Sequence, residues 1–129
     1  MPAVAMHHET DPKEVIYDAL GAVPEGLVWR NLVLVAVYER PERTKSGIIL
    51  TDNTRDEDQF QGKVGLVVQL GPQAFVDSDD FVFDEKAALG DWVWFRTSDS
   101  FPLKVNGKLC RAIRDERIWG RLPNPDLVW

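Results

Sequence analysis

The sequence predicts an all-β domain, a small antiparallel barrel, on three observations. Short apolar runs recur at close spacing, at Leu32–Tyr38, Val64–Leu70, Trp92–Phe95 and Ile118–Leu122. Asn106-Gly107, the strongest short hairpin signal in the chain, lies between two more runs, Phe101–Val105 and Lys108–Ile113. Turn-forming residues punctuate the spaces between them, and only one stretch near the N-terminus has helical spacing.

In chain order, residues 1–29 read as an arm. Thr10 is the expected cap of a short helix, with Pro12 in its first turn and Asp11 and Glu14 favourably placed for the helix dipole. Val15, Ile16 and Leu20 give that helix an apolar face, and Gly21 ends it. The barrel then occupies 30–122. Leu32–Tyr38 and Val64–Leu70 are apolar on both faces, which places them centrally. Gly90-Asp91 opens the Trp92–Phe95 strand, where Trp92 and Trp94 alternate onto one face and Val93 and Phe95 onto the other. Asp115-Glu116 makes a turn before Ile118–Leu122. Pro123-Asn124-Pro125 breaks the structure ahead of a tail, 123–129, that ends in Leu127-Val128-Trp129.

Two insertions interrupt this scheme. Residues 39–61 are too charged to bury themselves and are expected to form a mobile loop, yet they carry Ile48, Ile49 and Leu50 with no core to join. A loop exposing such residues is fitted to meet a partner. Residues 72–89 place Phe75-Val76 and Phe81-Val82-Phe83 around an acidic turn, Asp77-Ser78-Asp79-Asp80, and a projecting β-hairpin is expected.

Composition narrows the function. A chain of 129 residues with 44% hydrophobic content can build one core, and the formal net charge of −6 disfavours a nucleic-acid backbone as partner. No apolar run reaches membrane-spanning length and no secretory signal opens the chain, so a cytoplasmic protein is expected. The single Cys110, beside Ala112 and Ile113, reads as a core residue. No metal or cofactor is expected: His7-His8-Glu9 lacks a third well-spaced ligand, and the oxygen-rich Asp52–Asp58 run has Glu57 where a calcium loop needs glycine. The chain also lacks a Walker loop, a Gly-x-Ser-x-Gly elbow and a His-Glu-x-x-His pair, so no enzyme activity is expected.

The ordered string Leu32-Val33-Leu34-Val35, Thr44–Thr51, Gly62–Val68, Gly71, Gly90–Phe95, Lys108–Ile113 and Asp115–Ile118 resembles the GroES-type co-chaperonins, over about residues 30–122. The resemblance implies a GroES-like barrel that assembles as a homo-oligomer, a heptameric dome. Such a lid caps a GroEL-type chaperonin in a nucleotide-dependent way and encloses an unfolded protein substrate. It assigns Gly47, Ile48, Ile49 and Leu50 to the chaperonin groove, and Phe75, Val76, Phe81 and Phe83 to the roof. Phe101 is an approximate match to the family's cavity-facing aromatic. The arm and the tail have no counterpart in ordinary cellular lids, and Arg96–Pro102 replaces a glycine-containing turn. Such extensions look like the co-chaperonins of bacteriophages and prophages, for which the substrate would be a capsid protein. The rival expectation is a virion component, a capsid decoration or assembly protein that uses the same fold and holds a capsid shell with its extensions.

Overall fold

Strand β1 (Leu32–Val37) is apolar at every position and is buried from Val33 onward, so it needs cover on both faces and a neighbour on both edges. Both requirements are met in the computed structural model, which describes residues 11–39 and 63–127. The strand pairs antiparallel with β2 (Val64–Leu70) on one side and β5 (Lys108–Arg114) on the other. With β3 (Trp92–Phe95), β4 (Ser100–Val105) and β6 (Ile118–Leu122) it forms a six-stranded antiparallel sheet in the order β4-β5-β1-β2-β3-β6. The six strands and one α-helix among the described residues match the expected fold class, a small GroES-like β-barrel with a helix-bearing arm.

The side-chain alternation of the strands divides the apolar residues into two clusters. One gathers Val33, Val35, Val67, Val93, Phe95 and Ile113 around Phe75. The other gathers Leu34, Ala36, Tyr38, Val64, Leu66, Trp92, Val105 and Cys110, together with Ile16, Leu20 and Val28 from the arm. Cys110 is fully buried, and burial raises its thiol pKa to about 11, as expected of a core residue rather than a nucleophile.

Helix α1 (Pro12–Leu20) is capped by Asp11, whose carboxylate accepts from the Lys13 N–H at 2.9 Å; Thr10 lies outside the described residues. Ile16 and Leu20, one turn apart, form the buried stripe, whereas Val15 lies off it and is exposed, contrary to the expected face. The other end of the helix is held across the chain. Asn106 occupies the left-handed region in the β4–β5 turn (φ 51°), and its side-chain amide donates to Leu20 O at 2.6 Å and Ala22 O at 3.1 Å.

The expected hairpin over 72–89 is corrected in its detail. The chain does reverse there, with the Ser78 N–H donating to Phe81 O at 2.8 Å, but no strand ladder forms. The side chains of Asp77 and Ser78 take the backbone donors of Phe83 and Phe81 that a ladder would have used. The result is a folded loop. Its entry is tight: a Cβ at Gly71 would stand 2.4 Å from Arg30 O, so only glycine lets the two backbones approach.

Candidate partner-binding site

The partner-binding segment expected from the sequence, Gly47, Ile48, Ile49 and Leu50, lies outside the described residues. What the structure does give is the pair of strand ends that flank residues 40–62. The Tyr38 N–H donates to Val64 O at 2.9 Å, and the Phe95 N–H to Lys63 O at 2.9 Å, so the strand ends that flank this segment lie side by side. The Tyr38 ring stands edge-on to Trp92, with centroids 5.4 Å apart. Its hydroxyl donates to Asp126 Oδ1. Glu39, the next residue, faces Lys108 Nζ at 3.9 Å. Burial lowers the Lys108 pKa, and the Glu39 carboxylate acts in the opposite direction.

Antiparallel pairing places the second insertion at the other end. Val37 pairs with Gly65 next to the loop stem, while Val33 pairs with Leu70, after which residues 71–91 depart. The two insertions therefore leave opposite ends of one strand pair. Phe75, which the resemblance assigns to the roof, is buried, with its backbone in the left-handed region at φ 57°. That geometry is fixed by Asp115, whose carboxylate accepts from the Phe75 N–H at 2.9 Å and from Asn31 Nδ2 at 3.0 Å. Phe83 packs against Phe75 edge-to-face, and Phe81 against Phe83. Val76 and Phe81 are exposed, so the four assigned roof residues split into an inward pair and an outward pair. Phe101 is 71% exposed on the edge strand β4, remote in sequence and in sheet order from the roof segment.

Burial raises the Asp115 pKa, but hydrogen bonds with Glu116, the Phe75 N–H and Asn31 together outweigh it and leave the carboxyl below its usual range. The contacts of Asp115 with Phe75 and of Asp126 with Tyr38 have no local sequence signal. Each joins residues 40 or more positions apart, and a lone aspartate in a turn looks like any other. Among the described residues no cluster of three or more His, Cys, Asp or Glu gathers to hold a metal. No described helix is long and apolar enough to cross a membrane.

The family model of the chaperonin 10 Kd subunit matches residues 29–122, which takes in all six strands and the stems of both insertions. The chain belongs to the chaperonin 10 family. Among its curated relatives, a co-chaperonin GroES of Caulobacter sp. (strain K31) is 34% identical over 89 residues, covering 68% of this chain and 86% of the relative. A co-chaperonin GroES of Geobacillus sp. (strain WCH70) is 31% identical over 86 residues, 67% of this chain and 86% of the relative. That of Caldicellulosiruptor saccharolyticus is 29% identical over 86 residues, 67% and 84% respectively. This chaperonin 10 member carries the barrel nearly whole; helix α1 and the Pro125–Leu127 turn fall outside the matched span. Membership supports a co-chaperonin function.

Proposed function

We propose that this chaperonin 10 protein is a non-enzymatic lid that caps a GroEL-type chaperonin in a nucleotide-dependent way and encloses a folding substrate. The observation that carries the reading is the mounting of the two insertions. Loop 39–61, with Gly47, Ile48, Ile49 and Leu50, starts from one end of the β1–β2 pair, and the 71–91 segment from the opposite end. A subunit that must touch a chaperonin below and close a dome above needs that division. The energetics agree: burying three aliphatic side chains is worth roughly 5–8 kcal/mol gross at 1.5–3 kcal/mol each. Ordering the loop costs on the order of 1–2 kcal/mol per residue, so a single loop docks weakly. A ring of seven copies docks firmly through effective concentration and still releases cooperatively.

The heptamer and the cytoplasmic location are parts of this proposal, as is the cavity-facing role of Phe101. The phage or prophage affiliation, with a capsid protein as substrate, rests only on the extensions at 1–29 and 123–129. The rival reading, a virion component, drew on the same extensions as arms reaching for a capsid shell. Their described portions pack on their own barrel instead, through Ile16, Leu20 and Asp126, which favours the lid.

The test is light scattering of the protein alone and mixed with a bacterial chaperonin, with and without ATP. An oligomer near seven subunits that joins the chaperonin only with nucleotide is expected. Ile49→Asp is expected to abolish capping while leaving the ring assembled. A charged variant that still caps would remove Gly47–Leu50 from the interface, and recovery of the protein in stoichiometric amounts from purified virions would favour the rival.

A further inference from the structure

The tail end of the chain reaches the stem of the partner loop by a dedicated turn. Pro125–Leu127 forms one 3-10 turn in which the Asn124 side chain accepts from the Asp126 N–H at 2.9 Å. Pro125 and Asp126 are buried by it. The turn presents the Asp126 carboxylate to the hydroxyl of Tyr38, a residue only 2% exposed among Val64, Leu66 and Trp92. A phenol hydroxyl and a carboxylate are each costly to bury unless they are hydrogen-bonded, so the contact is not an incidental surface touch. Asp126 lies beyond the 29–122 span of the family match, whereas Tyr38 lies inside it.

We propose that Tyr38 is a positioning residue for the partner loop and that the C-terminal tail locks it through Asp126. The inference rests on the lid reading above. Tyr38 directly follows β1, one residue before the 39–61 segment begins, and its backbone bonds to Val64 on the returning strand. The ring against Trp92 and the hydroxyl on Asp126 therefore hold the last residue before Glu39 at two further points. A stem held in advance leaves less to be fixed on docking, which strengthens binding without adding any contact to the chaperonin. The tail thus acts on partner affinity from a site that does not itself touch the partner.

The experiment compares binding of Tyr38→Phe, Asp126→Ala and Asp126→Asn proteins to a GroEL-type ring in ATP, alongside amide exchange at Tyr38 and Val64. Losing one net hydrogen bond from the stem is expected to weaken binding about three- to tenfold in Tyr38→Phe and in Asp126→Ala. The two changes together are expected to lose less than the sum of the separate losses. Asp126→Asn keeps an accepting oxygen and is expected to stay near the unmodified protein. Val93→Ala, in the other cluster, serves as control: it lowers stability but is expected to leave affinity unchanged. Equal affinity in Tyr38→Phe, or an equal loss in Val93→Ala, would overturn the proposal. If the unmodified protein binds no chaperonin, the lid reading itself fails. Exchange at Tyr38 then still decides the anchoring, since unchanged protection in Asp126→Ala would refute the lock.

Discussion

The two apolar faces of the sheet are completed by different parts of the chain. One is closed from within the family domain, by Phe75 of the 71–91 segment with Phe83 against it. The other is closed by additions: Ile16 and Leu20 of α1 pack on it, and the tail reaches Tyr38 at its edge. The first cluster is part of the matched barrel, while the second depends on residues that the family model does not include. A shared fold therefore leaves room for a private layer. Here that layer lies against the strand ends that flank the 39–61 segment.

Four outcomes would sharpen or break this contrast. The largest effect is expected from Phe95→Ala, since removing a fully buried aromatic costs about 3–5 kcal/mol, read as a fall in the denaturant midpoint at constant m-value. Leu20→Ala is expected to cost about 2–5 kcal/mol if α1 is a true part of the core. A loss no larger than that of a surface substitution would show the arm to be detachable, and the second face would need another cover. Asn106→Gly keeps the left-handed backbone but removes the amide that holds Leu20 O and Ala22 O. About 1 kcal/mol is expected, concentrated in faster amide exchange of α1. Exchange that rises uniformly instead would mean the turn supports the barrel and not the arm.

The smallest effect at neutral pH concerns Asp115. Its carboxyl titrates below the usual carboxylate range in the folded protein, so the stability it contributes is complete above the unfolded value of about 3.9. That contribution is lost as pH falls through the folded value. Acid should therefore loosen the 71–91 segment through the Phe75 N–H, and Asp115→Asn should flatten the acid limb of a pH–stability curve. An unaltered limb would place the acid sensitivity elsewhere.

Strand positions were legible because they depend on local pattern. The expected Leu32–Tyr38, Val64–Leu70 and Trp92–Phe95 runs agree with the observed strands to within a residue, since apolar alternation and turn residues act over a few positions. Asn106-Gly107 announced its turn for the same reason. The 72–89 segment forms no ladder because Asp77 and Ser78 compete for its backbone donors, a choice that composition does not reveal. Of the site, the aliphatic triplet was visible as sequence but its surroundings lie outside the described residues.

By itself, then, the sequence determined the class of fold, the order of the strands along the chain, the two insertions and the resemblance that pointed to a co-chaperonin. These follow from periodicity, turn chemistry and motif order, all carried by near neighbours. Tertiary structure alone decided that α1 covers its own barrel, that Phe75 turns inward on Asp115, and that Asp126 reaches Tyr38 across 88 positions. Those contacts depend on where the folded sheet brings distant segments together, and a polar side chain in a turn carries no mark of the partner it will meet.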